Sequence, residues 1–213
     1  MMLKTIFKHT FSALAIMGAA AFVPAMAQSG IKYITLETAQ PSDTPDKVEV
    51  LEFFSYSCSH CAEMEPLFQD WKKTLPDDVA FIPVPVAFNA SMQPMQHLYY
   101  SLVALDKQDL HPQVFNAIHK QGKKLFNRDA IIQWAEEQGI NKDEFIAAYD
   151  SFGVSAKAKR ASELSDTYQV QATPSIAIGG KHLTSPGMTG TYASSILEAQ
   201  DLLNQILAEK KAD

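Results

Sequence analysis

The sequence predicts an α/β fold in which a block of helices interrupts a small sheet. Residues 48–86 read as strand–helix–strand, which is the unit of a parallel sheet. From about residue 89 to residue 161 the apolar side chains recur at three- and four-residue spacing, which is typical of helices. A strand–strand–helix pattern follows, so two α/β segments flank the helical block.

Composition and charge narrow the class of protein. The chain has 213 residues, of which 46% are apolar, and this is typical of a protein that folds around a core. It carries 18 Lys and Arg against 24 Asp and Glu, so no basic excess is present and nucleic-acid binding is not expected. The two cysteines are too few for a disulfide-stapled small protein or a four-cysteine zinc or iron–sulfur site.

Residues 1–27 have the pattern of a secretory signal peptide. Lys4 and Lys8 are followed by the apolar run Phe11 to Val23 and by a small-x-small cleavage site that ends at Ala27. The apolar run is shorter than the roughly 20 residues that span a membrane. We therefore predict cleavage after Ala27 and a soluble mature protein in an oxidising compartment, where disulfides persist.

The first α/β segment begins with a weak strand at Ile31 to Leu36. Val48 to Ser55 is almost continuously apolar, which predicts a strand that is buried on both faces. A helix is then expected to reach about Leu75, where a Pro-Asp-Asp sequence breaks it. Val79 to Val86 is the next predicted strand.

Five helices are predicted in the block that follows. In the fourth, Asn141 precedes Glu144 by three residues, which resembles a capping box, and the helix is expected to contain Phe152. The fifth covers roughly Ser155 to Tyr168.

The second α/β segment is predicted to begin with a short strand at Ser175 to Ile178. Gly179 and Gly180 are typical of a two-residue hairpin turn, after which Lys181 to Thr184 forms the returning strand. The last helix is expected from about Tyr192 to Ala208.

The candidate chemistry lies in Cys58-Ser59-His60-Cys61. The two cysteines are three residues apart at a strand-to-helix junction, within reach of a disulfide. Free backbone N–H groups at a helix N-terminus favour a thiolate at Cys58, and His60, if protonated, adds a positive charge beside the sulfur. Cys61 lies one turn further along and should be more buried. We therefore expect Cys58 to attack and Cys61 to resolve.

Two other interpretations of the cysteines remain open. A structural disulfide is possible in an oxidising compartment, although so short a loop would stabilise the fold only weakly. A metal site built from Cys58, His60 and Cys61 is also possible, although no fourth ligand is evident in the sequence.

Glu52 is the charged member of an otherwise apolar strand face. Side chains alternate along a strand, so Glu52 shares its face with Val48, Val50 and Phe54. A carboxylate buried there would have a raised pKa and could act in proton transfer. The alternative is a carboxylate at a solvated strand end.

The segment from Glu52 to Cys61, Glu-Phe-Phe-Ser-Tyr-Ser-Cys-Ser-His-Cys, resembles the active-site strand and helix of the DsbA family of periplasmic thiol:disulfide interchange proteins. Val170 to Ser175 is similar to the cis-proline loop of that family, and Gly180 to Met188 is similar to its last hairpin and loop. Ser59 departs from the pattern, because the best-known members carry proline there. The two residues between the cysteines tune the redox potential.

The resemblance implies a thioredoxin-like fold with an inserted all-helical domain. Residues 28–89 and 162–213 would form the thioredoxin-like domain, and residues 90–161 the helical domain. The implied function is oxidation of newly secreted proteins in the periplasm, in which the Cys58–Cys61 disulfide passes to a substrate dithiol through a mixed disulfide at Cys58.

The resemblance also assigns supporting roles. Thr173 and Pro174 would bind an extended substrate, Glu52 would be the buried acid beneath Cys61, and Ser59 would tune the potential. No cofactor and no metal are implied, and a membrane quinone-linked partner of the DsbB type would reoxidise a monomeric protein.

Two other functions remain open. The first is a disulfide isomerase or reductase, although no segment is left over for the dimerisation domain typical of periplasmic isomerases. The second is a non-enzymatic metal carrier or chaperone.

The remaining polar residues are expected at the surface. Glu63 and Glu65 are interpreted as a solvated helix face. Four histidines have no metal-ligand spacing and are interpreted as surface residues, namely His97, His111, His119 and His182.

Overall fold

Residues 30–44 and 46–212 are described by a computed structural model, and they form one mixed sheet with helices on both faces. The predicted signal peptide, residues 1–27, lies outside the described residues. None of the helices within the described ranges is long and apolar enough to cross a membrane.

The sheet has five strands in the order β1-β5-β4-β2-β3. Their bounds are Tyr33–Thr35 (β1), Val48–Phe54 (β2), Val79–Pro85 (β3), Ser175–Ile178 (β4) and His182–Thr184 (β5). The central strand β2 pairs in parallel with β3, as the strand–helix–strand unit predicts, and antiparallel with β4. All seven residues of β2 are buried, which confirms the prediction that both of its faces are covered.

The hairpin between β4 and β5 differs from the prediction by one residue. Ile178 pairs with His182, so three residues and not two form the turn. Both glycines of the turn have positive φ angles, and a Cβ atom on Gly180 would lie 2.4 Å from the backbone oxygen of Gln40. Glycine is therefore required at position 180 by a close backbone approach as well as by its conformation.

Eight α-helices lie in the described residues. They are α1 (Ser59–Lys72), α2 (Gln93–Ala104), α3 (His111–His119), α4 (Arg128–Glu137), α5 (Lys142–Tyr149), α6 (Phe152–Thr167), α7 (Pro186–Thr189) and α8 (Tyr192–Ala212). The side chain of Asn141 accepts hydrogen bonds from the backbone N–H groups of Asp143 and Glu144, so the predicted cap of α5 is confirmed. The prediction that this helix contains Phe152 is wrong, because α5 ends at Tyr149. The Ser151 hydroxyl caps a new helix there, and the Phe152 ring is 88% exposed.

Three apolar cores meet around the sheet. Val48 and Val50 pack with α1 and α8 on one face, and Leu51 and Phe53 pack with the second half of α6 on the other. At the end of β2, Phe54 projects into a third core, which is built mainly from α2 to α5 and also contains Cys61. The cysteine motif therefore lies where the sheet and the helical block meet.

Candidate active site

Cys58 is the N-cap residue of α1. Its backbone is extended, with φ −88° and ψ 116°, and its sulfur accepts a hydrogen bond from the backbone N–H of Cys61 at 3.4 Å. Cys58 is partly exposed, whereas Cys61 is fully buried. The predicted position of the motif at a helix N-terminus is confirmed, and only Cys58 is accessible to another protein.

The surroundings of Cys58 favour its thiolate. The pKa of Cys58 is lowered to about 5, chiefly by a hydrogen bond from the Cys61 side chain. Contact with the Thr173 side chain and backbone N–H groups of Cys61 and His60 act in the same direction, while burial opposes them. In the protonated form, the Cys58 thiol donates to the backbone oxygen of Thr173 at 3.3 Å.

Cys61 has the opposite character. Burial raises the pKa of its thiol well above the ordinary range, and its interaction with Cys58 adds to this effect. Cys61 therefore stays protonated at neutral pH when the pair is reduced. The two sulfurs, three residues apart in sequence, differ in both access and protonation.

His60 is exposed, and its imidazole is directed to the last helix. Nδ1 of His60 lies 2.6 Å from the hydroxyl of Tyr192, which donates its proton to a carboxylate oxygen of Glu63 at 2.8 Å. Because the Tyr192 proton is engaged by Glu63, His60 Nδ1–H acts as the donor to Tyr192. His60 acts on the pKa of Cys58 through its backbone N–H, and the predicted charge of its ring is not among the causes.

Sequence reasoning did not single out Tyr192. It lies 132 residues from His60 and 129 from Glu63, and no local pattern connects positions so far apart.

The Thr173-Pro174 peptide bond is cis, as the resemblance implied. A groove of about 590 Å³ begins beside this loop, and both His60 and Thr173 line it close to Cys58. Its other lining residues are small, apolar or aromatic: Ala172, Pro174, Ser185, Pro186, Gly187, Gly190, Thr191 and Tyr192. The groove can therefore accept an extended apolar segment next to the reactive sulfur. Ser59, the first residue of α1, is exposed and does not line the groove.

Glu52 lies beneath α1 in the middle of β2. It is 1% exposed, and burial raises its pKa, with a further increase from the charge of Glu65 and an opposing effect of Lys72. Its neighbours on the same face are Val50, which packs with α1, and Phe54, which lies in the core that contains Cys61. The alternative of a solvated carboxylate at Glu52 is thus wrong.

Two residues interpreted as surface groups are buried. Glu65 is 3% exposed and His111 is 4% exposed. The spacing in the sequence predicts burial of Glu65, because Cys61, Met64, Glu65 and Phe68 follow the i, i+3, i+4, i+7 pattern of one helix face. His111 likewise precedes three apolar residues at the same spacing, namely Val114, Phe115 and Ile118.

Metal-ligating side chains do not cluster in threes or more anywhere in residues 30–44 and 46–212.

Comparisons with known proteins agree with this geometry. The model of a protein family described as Thioredoxin matches residues 43–197. The thiol:disulfide interchange protein DsbA of Bordetella parapertussis is 44% identical over 203 residues, which cover 95% of this chain and 97% of the relative. DsbA of Pseudomonas syringae pv. tomato is 33% identical over 87% of each chain.

Solved structures are similar as well. The crystal structure of Pseudomonas aeruginosa DsbA has a TM-score of 0.81 and 30% identity, and the match covers 84% of this chain and 94% of that one. The oxidoreductase NmDsbA1 of Neisseria meningitidis has a TM-score of 0.75 at 30% identity, over 85% and 95% of the two chains. With its thioredoxin-like sheet, its helical insertion and its paired cysteines at the start of α1, this chain belongs to the DsbA family of thiol:disulfide interchange proteins.

Proposed function

We propose that this protein oxidises newly secreted proteins in the periplasm by donating a Cys58–Cys61 disulfide. The observation that carries the proposal is the contrast between the two sulfurs. Cys58 is accessible and has a pKa of about 5, while Cys61 is buried and has a raised pKa. A low pKa makes Cys58 a good leaving group at the end of the exchange, and a stabilised thiolate favours the reduced protein.

The exchange takes place in two displacements. A substrate thiolate attacks the Cys58 sulfur, the Cys58–Cys61 bond breaks, and the electron pair stays on Cys61, which takes up a proton. A second substrate thiolate then attacks the substrate sulfur of the mixed disulfide, and Cys58 leaves as a thiolate. The substrate loses two electrons, and the cysteine pair gains them.

Glu52 is proposed as the acid that serves Cys61. Its raised pKa keeps a proton on the carboxyl group under conditions where an exposed glutamate is ionised. A buried thiolate at Cys61 is unfavourable, so a nearby proton donor lowers the barrier to breaking the disulfide. In the reverse direction the same carboxylate accepts the proton when Cys61 attacks.

The substrate is proposed to lie along the groove beside Pro174. Because the backbone oxygen of Thr173 is 3.3 Å from the Cys58 sulfur, a chain that follows this loop in an extended conformation passes its own sulfur close to Cys58. The small and apolar lining suits unfolded segments of varied sequence. His60 lines the groove, and the exposed Ser59 between the two cysteines is proposed to tune the redox potential.

The proposed domain division follows the packing. Residues 90–161 form the helical insertion, and residues 28–89 with 162–213 form the thioredoxin-like domain. This boundary lies within α6, where Leu164, just after the boundary, packs against the core on the sheet.

The partners and the location complete the proposal. Residues 1–27 would direct secretion and be removed. The reduced protein would act as a monomer and pass its electrons to a membrane quinone-linked oxidant of the DsbB type. In that step Cys58 again forms the mixed disulfide, because its sulfur is the accessible one.

The test is the redox equilibrium of the mature protein with glutathione, followed by the fluorescence of Trp134, which lies in the same core as Cys61. An oxidase should be reduced even at a low ratio of reduced to oxidised glutathione, and it should oxidise a reduced peptide rapidly. A protein that stays oxidised at this glutathione ratio and also reduces insulin efficiently would contradict the oxidase proposal and support a reductase. The Cys58→Ser variant is the inactive control. The Cys61→Ser variant should trap the mixed disulfide between Cys58 and the substrate.

A further inference from the structure

Three hydrogen-bonded side chains form a chain beside the substrate groove. The Tyr192 hydroxyl donates its proton to Oε2 of Glu63 at 2.8 Å, and Nδ1 of His60 lies 2.6 Å from the same hydroxyl. The hydrogen bond to Glu63 is the main cause that raises the pKa of Tyr192 to about 12, so the hydroxyl keeps its proton at neutral pH. The chain connects the start of α1 with the start of α8.

This chain determines which nitrogen of His60 carries the proton. A hydroxyl that gives its own proton to Glu63 can only accept from His60, so the neutral imidazole carries its hydrogen on Nδ1. Nε2 then has a lone pair that can accept a proton. Within residues 30–44 and 46–212 no group forms a hydrogen bond with Nε2 of His60, and the side chain is exposed.

The ring of His60 lines the groove close to the reactive sulfur. Thr173 lines the same groove, and its backbone oxygen is 3.3 Å from the Cys58 sulfur. A thiol that approaches Cys58 along the groove therefore passes the imidazole. Among the described residues that line the groove, His60 is the one whose side chain is of a type that commonly acts as a base near neutral pH.

The first displacement requires a base at this place. The attacking species is a thiolate, but an ordinary cysteine has a pKa of ~8.5, so only ~3% of it is ionised at pH 7. In the oxidised protein Cys58 is part of the disulfide and has no thiolate that could accept the substrate proton. Glu52 is 1% exposed and does not line the groove, so it does not meet the incoming thiol.

We propose that Nε2 of His60 is the base that takes the proton of the incoming substrate thiol, and that Tyr192 and Glu63 hold the imidazole in the tautomer that this role requires. The inference rests on the proposed function. The S–H proton of the substrate passes to Nε2, and the electron pair of that bond forms the new bond to the Cys58 sulfur. The Cys58–Cys61 bond breaks toward Cys61, and the imidazolium then returns its proton to water. His60 is the catalytic residue of this step, and Tyr192 and Glu63 are positioning residues.

The experiment compares two thiols that differ in acidity. The mature, oxidised protein is mixed at pH 7 with a peptide that contains one ordinary cysteine or with a nitro-substituted benzenethiol, which is already ionised at this pH. Acid quenching and mass spectrometry give the rate at which the mixed disulfide with Cys58 forms. The ratio of wild-type to variant rates is taken for each thiol separately, because thiols of different acidity also differ in nucleophilicity.

His60→Ala should slow the reaction of the cysteine peptide about five- to tenfold, below the ~30-fold limit that corresponds to ~3% ionisation of the free thiol. Its rate with the benzenethiol should equal that of the wild type, because no proton has to be removed. A loss of groove shape or of packing would slow both thiols, so the difference between them isolates the proton transfer.

Tyr192→Phe tests the positioning role. The variant keeps the aromatic ring and removes only the hydroxyl, so it should slow the cysteine peptide by a smaller factor, about threefold, and leave the benzenethiol unaffected. Nitrogen NMR of histidine-labelled protein reads the tautomer directly. Neutral His60 should carry its proton on Nδ1 in the wild type and should be a mixture of both tautomers in Tyr192→Phe.

His182→Ala is the matched control. Nδ1 of His182 also lies against a hydroxyl, that of Thr35 at 2.9 Å, but His182 does not line the groove. This variant should react with both thiols at wild-type rates.

The outcomes separate this inference from the function on which it rests. Equal slowing of both thiols in His60→Ala, or no slowing of either, would overturn the role of His60 as a base while leaving the oxidase function intact. A wild-type His60 that carries its proton on Nε2 would overturn the positioning role of Tyr192 and Glu63. A wild-type protein that forms mixed disulfides with neither thiol would overturn the proposed function and this inference together.

Discussion

The imidazole of His60 is held by the hydroxyl of Tyr192, 2.6 Å from Nδ1, at the first turn of the last helix. His60 and Cys58 are two positions apart along the chain, and residues at this spacing do not face each other on a helix. The ring of His60 therefore joins α1 to α8 and borders the groove. Its backbone N–H, and not its ring, stabilises the Cys58 thiolate.

His60→Ala should accordingly leave the pKa of Cys58 near its value of about 5. The backbone N–H is kept in this variant, so we expect a change of less than about one unit, equivalent to ~1.4 kcal/mol. The ultraviolet absorbance of the thiolate as a function of pH measures it. A rise of two units or more would mean that the charge of the ring dominates. Tyr192→Phe, which removes the anchor alone, is the companion variant.

The two cysteines should differ strongly in alkylation. At pH 7 the Cys58 thiol, with its pKa of about 5, is almost entirely thiolate, whereas Cys61 is protonated and buried. Iodoacetamide should therefore modify Cys58 far faster than Cys61 in the reduced, folded protein. Peptide mapping over time follows both sites, and the unfolded protein, in which the two should react alike, is the control. Equal labelling in the folded state would refute the assignment of the attacking sulfur.

Glu52→Gln should stabilise the reduced protein at neutral and alkaline pH. The folded pKa of Glu52 is raised, so the wild type loses stability as the pH rises from the unfolded value of ~4.3 through the folded one. We expect a gain of about 1–3 kcal/mol, the range for an unsatisfied buried polar group. The gain should fade near pH 4, where both states of the wild type become protonated. Urea unfolding at pH 4 and pH 8 measures the difference.

Glu49→Gln is the matched control for that experiment. Glu49 is also buried on β2, but one of its carboxylate oxygens accepts hydrogen bonds at 2.8 Å from both the backbone N–H and the hydroxyl of Thr44. Removing its charge should weaken these bonds and lower the free energy of unfolding. If both variants changed stability in the same direction, the special position of Glu52 would be disproved.

The sequence predicted the sheet and the cysteine motif because both depend on local patterns. An apolar run specified β2, and a three-residue spacing at a helix start specified the two sulfurs. The burial of Glu65 and His111 departs from the expectation for polar residues, although their spacing relative to apolar neighbours is that of a buried helix face. The link between His60 and Tyr192 could not be predicted, since it depends on how α8 returns to α1 across 132 residues.

The stability of the two redox forms tests the balance between thiolate and disulfide. Folding lowers the pKa of Cys58 from ~8.5 in an unfolded chain to about 5, so the reduced folded state binds fewer protons at this site than the unfolded state. The resulting stabilisation is fully present above ~pH 8.5 and is lost as the pH falls through about 5. At pH 7 it is at most ~2.7 kcal/mol, and solvent screening reduces it because Cys58 is partly exposed. The disulfide stabilises the oxidised form by about 2 kcal/mol through loop closure.

The two forms should therefore melt at similar temperatures at pH 7, while the oxidised form should melt higher at pH 4, where the thiolate is lost. Thermal melts of both forms at the two pH values decide the matter. An oxidised form that melts higher by the same margin at both would mean that the Cys58 thiolate contributes nothing to the fold.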